Sequence, residues 1–143
     1  MTVRYILDTD HISLLGRRHP YVVQRIAAVP IEERATTIIS ADEQLQGRLA
    51  VIRRTKTQLD AAREYDRLLE TLNFYITVQI LSYDRSAAAL FDNLRRQGVR
   101  VGTQDLRIAA IALSIGATVI TRNMRDFQQV PELSVADWSL PPS

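Results

Sequence analysis

Four short apolar runs rich in β-branched residues, Val3–Leu7, Ala35–Ile39, Val78–Leu81 and Ala117–Thr121, are separated by stretches of helical periodicity. That alternation constrains the fold more than any other feature, because strands interleaved with helices argue α/β architecture with a mainly parallel sheet. Short helical segments are expected over residues 11–16 and Tyr21–Val29, the second closed by Pro30. Residues 58–73 carry the clearest amphipathic pattern, with Ala61, Tyr65, Leu68 and Leu72 at three- and four-residue spacing. Residues 41–73 together read as a helical hairpin broken near Thr55–Thr57. Asp84 stands as the N-cap of a helix reaching Arg96. Leu106–Ile115 is apolar almost all round, the pattern of a buried helix, and Gly116 caps it. Val130–Trp138 adds an edge strand. With no repeat, low-complexity tract or linker, residues 1–139 read as one domain and 140–143 as a short tail.

At 143 residues the chain is long enough to bury a proper core. No apolar run reaches the roughly 18 residues of a membrane span, and Asp8 interrupts the only stretch that could serve a signal peptide. The reading is a soluble, cytoplasmic protein. The absence of cysteine suits a reducing compartment and excludes disulfides, thiolate catalysis and sulfur-ligated zinc. The formal net charge is only +2, yet all the basic residues but Lys56 are arginine. Arginine clamps phosphates bidentately, so a nucleic-acid partner is permitted; an Arg-rich proteome would give the same bias.

Parallel α/β sheets bind ligands beyond the carboxyl ends of their strands. Asp8, the Ser40–Glu43 stretch and Thr121-Arg122-Asn123 all fall at such ends, and Asp105 opens the buried helix. Four polar clusters could thus meet at one edge of the sheet. Oxygen ligands suit magnesium or manganese, and a bound ion could activate water and stabilise charge on a phosphate. Each residue also has a structural account. Ser40-Ala-Asp-Glu43 is a capping-box pattern, Asp105 could complement a helix dipole, and Asp10 reads as the N-cap of the helix after it. Asp8 is harder to dismiss, because a carboxylate ending an apolar strand needs a partner or a metal if buried. His11 and His19 lack ligand spacing and read as surface or local hydrogen-bonding residues. No phosphate-binding glycine loop or nucleophile elbow occurs.

Taken in order, Tyr5-Ile-Leu-Asp-Thr-Asp10, Ile39-Ser-Ala-Asp-Glu-Gln-Leu-Gln-Gly47, Thr103-Gln-Asp-Leu-Arg-Ile-Ala-Ala-Ile-Ala-Leu113 and Val119-Ile-Thr-Arg-Asn-Met-Arg-Asp-Phe127 resemble the PIN-domain family, and within it the VapC-type toxins of bacterial toxin–antitoxin pairs. The likeness runs from about residue 3 to Trp138. It implies a compact three-layer α/β/α sandwich and a Mg²⁺- or Mn²⁺-dependent endoribonuclease acting on RNA. By the same likeness Asp8, Glu43 and Asp105 match the three acids that hold the metal. Asn123 stands where many relatives carry a fourth acid; it can bind water or metal through its carbonyl but supplies no charge. Thr9, Thr121 and Asp126 are candidates to support those ligands through hydrogen bonds, with turn bonding or strand propensity as the alternative. Arg107, Arg122 and Arg125 lie near the site in sequence and are candidates for RNA phosphate contacts; a solvated or salt-bridged role fits each equally well. The resemblance further implies a homodimer and a small antitoxin, with Tyr21, Val22, Tyr65, Leu68 and Leu69 as interface candidates or core residues.

Two rival readings stay open at this point. A PIN-like scaffold could serve only for partner binding, which Asn123 favours and the three retained acids oppose. Asp8-Thr-Asp10 after an apolar strand also resembles the nucleophile motif of haloacid-dehalogenase phosphatases. That family pairs its aspartate with a lysine, and the single lysine here lies in the helical hairpin.

Overall fold

A computed structural model describes residues 2–142. Its five strands are β1 (Tyr5–Leu7), β2 (Arg34–Thr37), β3 (Ile80–Leu81), β4 (Thr118–Ile120) and β5 (Val135–Ala136). They form one sheet in the order β3-β2-β1-β4-β5 with every pairing parallel. The helices are α1 (Thr9–Gly16), α2 (Pro20–Ala27), α3 (Ile38–Arg54), α4 (Gln58–Thr77), α5 (Arg85–Arg96), α6 (Thr103–Ile115) and α7 (Met124–Phe127).

The two-residue period of a strand sorts the sheet's side chains into two cores. Ala35, Ile6 and Val119 are aligned across neighbouring strands and pack with Leu106, Ile108, Ala109 and Phe127 from α6 and α7. Leu7 and Ile120, one residue further along, face the opposite way onto Ile12, Val22 and Ile26 from α1 and α2, with Trp138 closing that side. The result is the expected α/β/α sandwich. Its central strands are buried on both faces, as parallel strands usually are. No helix among the described residues is long and apolar enough to cross a membrane.

Several boundaries differ from the sequence reading, each for a local reason. β2 stops at Thr37 rather than Ile39, because the Thr37 hydroxyl accepts a hydrogen bond from the Ser40 amide and starts α3. Thr37, not Ser40, is therefore the N-cap, and the capping-box reading of Ser40 and Glu43 does not hold. At α1 the cap is Asp8, whose carboxylate accepts from the Thr9 amide at 2.7 Å, so Asp10 lies inside the first turn. α4 continues to Thr77, leaving only Ile80–Leu81 as strand. Asp84 caps α5 as expected, accepting from the Ala87 amide.

Gly116 closes α6 in the left-handed conformation with φ +69°, returning its N–H to the last carbonyls of the helix. A Cβ there would meet nothing within 4 Å, so a substitution bears the cost of the backbone conformation alone. We expect Gly116→Ala to lower stability by about 1 kcal/mol and Gly116→Asn by less, as read from urea unfolding midpoints. Equal stability of Gly116→Ala and wild type would contradict this account of the cap.

Candidate active site

The carboxyl ends of β1 and β4 and the starts of α1, α3 and α6 meet at one edge of the sheet, and each contributes a polar side chain. Asp8 leaves the end of β1 almost wholly buried, with 6% of its surface exposed. Its two oxygens are separately held. Oδ1 accepts from the Thr9 amide, and Oδ2 accepts from the Thr121 hydroxyl at 2.8 Å. Thr121 is itself fully buried just past the end of β4. Glu43 stands in the second turn of α3 and accepts from the Thr9 hydroxyl through Oε1 at 3.2 Å. Asp105 lies in the first turn of α6 and accepts from the Asn123 side-chain amide at 3.2 Å. The same Asn123 nitrogen donates to Asp126 at 3.0 Å, so one amide links two carboxylates.

Burial and mutual repulsion both act on these acids. Desolvation, then the charge of Asp10, pushes Asp8 up to about 7 from 3.8, against the lowering effect of its bonds to Thr121 and Thr9. Desolvation is also the leading cause that raises Glu43 and Asp105, with Asp105 and Glu43's neighbour Asp42 adding repulsion at Glu43, and Asp126 and Asp10 adding it at Asp105. The interacting set therefore contains Asp8, Glu43 and Asp105 together with Asp10 and Asp126. Among the described residues no three acidic or histidine side chains stand close enough to form a ready-made metal cage. Oxygen-only donors, crowded and partly dehydrated, fit a hard divalent cation; Asp8, Glu43 and Asp105 could hold it.

Asp10 is the residue undervalued by the sequence reading. Its Oδ2 accepts from the Arg122 amide at 3.1 Å and lies 3.3 Å from the Thr121 hydroxyl, while Oδ1 meets His11 Nδ1 at 2.8 Å. His11 is fully buried, not a surface residue. Its Nε2 accepts from the Trp138 amide, which leaves the proton on Nδ1 facing Asp10. A carboxylate two residues after Asp8 would line the same strand end, and that spacing was the available signal. His19 is half-buried beside Tyr21 and takes no part in the site.

The arginines divide. Arg107 donates to Gln104 at 2.7 Å and lies over the Tyr83 ring. Arg122 and Arg125 are exposed, and no side-chain hydrogen bond holds either guanidinium among the described residues. Lys56, the single lysine, lies in the turn between α3 and α4, so no lysine accompanies Asp8 in the site. Of the interface candidates, Val22 is core, Tyr21 and Leu68 are half-buried, and Tyr65 and Leu69 are exposed.

A parallel α/β/α sandwich whose strand ends gather a buried aspartate, further carboxylates and a bridging asparagine defines a class by fold and site together. The chain belongs to the PIN-domain family, whose model matches residues 5–133. It is 30% identical over 139 residues to "Ribonuclease VapC1" of Haemophilus influenzae, covering 94% of this chain and 98% of that one. It is 36% identical over 69 residues to the "tRNA(fMet)-specific endonuclease VapC" of Salmonella typhimurium, covering 46% of this chain and 52% of that protein. Among solved structures, the DNA-bound VapBC complex of Salmonella typhimurium superposes with a TM-score of 0.77 at 25% identity, over 96% of this chain and 99% of that one.

The raised Asp8 makes a stability prediction for the metal-free protein. Between about pH 4 and 7 the folded state holds a proton that the unfolded state has released, so stability falls as pH rises through that window. The loss is on the order of a few kcal/mol at full deprotonation. In EDTA, the wild-type unfolding midpoint should drop between pH 5 and 8, and Asp8→Asn should remove most of that drop. A pH slope shared by wild type and variant would show that Asp8 ionises without cost.

Proposed function

We infer that this protein is a divalent-metal-dependent endoribonuclease and the toxin member of a toxin–antitoxin pair. The observation that carries the reading is the convergence of Asp8, Glu43 and Asp105 on one edge of the sheet, with Asp8 so buried that its charge calls for a cation. The names of its relatives, a ribonuclease and a tRNA-specific endonuclease, support RNA as the substrate. The toxin–antitoxin complexes among its structural neighbours support a small antitoxin as partner. We also infer a homodimer, on the family resemblance alone.

Mg²⁺ or Mn²⁺, when held by Asp8, Glu43 and Asp105, supplies positive charge that lowers the cost of forming the nucleophile and of building charge on the phosphate. The protein's own groups supply position. Thr121 and the Thr9 amide each fix one oxygen of Asp8, so that carboxylate has little rotational freedom to lose on loading. Thr9 fixes Oε1 of Glu43 and leaves Oε2 with no donor among the described residues. Asn123 bridges Asp105 and Asp126 by donating to both, which a carboxylate at that position could not do. The amide is thus a working part of an acidic site, and it does not favour a scaffold that has lost catalysis. Arg122 and Arg125, exposed and with no side-chain partner among the described residues, would meet substrate phosphates.

Purified, antitoxin-free protein should cut RNA, with tRNA as the first substrate to try, in Mg²⁺ or Mn²⁺ and not in EDTA. Asp8→Ala and Asp105→Ala should each lower the rate by at least about 10³-fold, in the range of lost catalytic electrostatics. Asn123→Ala should lower it by roughly 10–100-fold, as for a group that orients ligands. Failure of the wild type to cut any RNA with metal present, or cleavage unchanged by Asp8→Ala, would overturn the reading. Hydrolysis of small phosphate esters without RNA cleavage would instead support a phosphatase.

A further inference from the structure

The helical hairpin does not lie flat on the sandwich. Within α3 burial is confined to the first turn, at Ile39, Ser40 and Ala41, and within α4 to Thr71 and Tyr75 near its end. The Tyr75 hydroxyl donates to Gln44, tying the two helices at that base. Beyond those positions the two helices pack chiefly on each other and form an arm that starts at the edge where Asp8 and Glu43 lie. Its tip is firmly built. The Thr55 hydroxyl closes α3 by donating to the Ile52 carbonyl at 2.7 Å, and the Thr57 hydroxyl opens α4 by accepting from the Asp60 amide at 3.1 Å.

Cations concentrate on this tip. Residues 48–63 contain Arg48, Arg53, Arg54, Lys56 and Arg63 against a single carboxylate, Asp60, in a chain whose formal net charge is only +2. Arg48 is occupied by the Thr71 hydroxyl at 3.2 Å, and Arg63 lies 3.9 Å from Asp60. Arg53, Arg54 and Lys56 are exposed, with no carboxylate within 4.0 Å among the described residues. From Glu43 to Arg54 the α3 axis advances about 16 Å. That distance corresponds to roughly five stacked nucleotides at about 3.4 Å each.

We propose that Arg53, Arg54 and Lys56 at the tip of the α3–α4 arm form a second RNA-binding subsite, which holds the phosphodiester backbone of the substrate about five nucleotides from the cleavage site. The proposal rests on the nuclease reading for the identity of its ligand. The electrostatics of the cleft create the need for it. A polyanion approaching Asp8, Asp10, Glu43, Asp105 and Asp126 is repelled by every one of them that is charged, so cations beyond the cleft add to what a bound metal and Arg122 and Arg125 supply. The arm starts from that same edge and carries three exposed cations within four residues, with no carboxylate partner among the described residues, and so meets the requirement. The competing role for Arg53 and Arg54, complementing the carboxyl end of α3, acts on stability and leaves RNA affinity unchanged.

The test is fluorescence anisotropy of a 5′-labelled, 30-nucleotide single-stranded RNA of mixed sequence, titrated in EDTA so that nothing is cleaved. Binding is compared for wild type, for Arg53→Ser/Arg54→Ser/Lys56→Ser, and for Arg96→Ser/Arg100→Ser outside the arm. Three lost phosphate contacts should reduce the slope of log K against log salt by about 2, at about 0.7 each for single strands. The slope of the Arg96/Arg100 variant should stay closer to wild type. Should the triple variant unfold, Lys56→Ser, which lies outside both helices, should reduce the slope by about 0.7. In the cleavage assay the triple variant should raise KM on tRNA and leave kcat unchanged. An unchanged slope and affinity overturn the subsite, as does an equal loss toward a 30-base-pair DNA duplex bound as tightly as RNA. Because binding is read without metal, a failure of cleavage leaves this test intact.

Discussion

Asp8 occupies an expensive place for a charge: the end of the central strand, 6% exposed, with the charges of Asp10 and Asp105 acting on it. The surrounding structure can be read as what keeps it there. Thr121 and the start of α1 each bind one of its oxygens, Asp10 takes the Arg122 amide, and His11 connects Asp10 to the C-terminal segment at Trp138. The two cores hold β1 on both faces, so Asp8 cannot swing out to solvent without disturbing Ile6 and Leu7. A fold that spends stability on uncompensated charge at one edge resembles other binding sites in which function and stability oppose each other.

The α/β class was legible because it rests on period and alternation, which the chain displays plainly. The core helix α6 and the Asp84 and Gly116 caps were legible for the same reason. What misled was competition between local hydrogen bonds. Ser40-Ala-Asp-Glu43 carries a good capping pattern, but Thr37 three residues earlier also offers a hydroxyl, and the sheet register of Thr37 opposite Leu81 leaves it at the point where the chain must turn. Moving the helix start by three residues places Glu43 in the second turn, where it meets Thr9.

The site itself was legible as a set of acids and illegible as a network. Asp8, Glu43 and Asp105 could be named from order and resemblance. Asp10 reads from the sequence as the cap of α1, whereas Asp8 both caps α1 and lines the site. His11 and Trp138 are 127 residues apart, and nothing local signals that the ring of one accepts from the amide of the other. Asn123 shows the opposite case. By the family resemblance it looks like a lost acid, yet its amide joins Asp105 to Asp126 and so offsets repulsion between them.

The central claim is that buried carboxylates, Asp8 above all, are held ready for a divalent cation. Isothermal titration calorimetry of Mn²⁺ into metal-free protein, repeated in buffers of different ionisation enthalpy, measures the protons released on binding. Asp8 titrates near pH 7 in the free protein, so Mn²⁺ should bind with release of roughly one proton at pH 6 and progressively fewer as pH rises to 8. Asp8→Asn should abolish most of that release. Proton release that is absent at pH 6, or that Asp8→Asn leaves unchanged, would contradict the account.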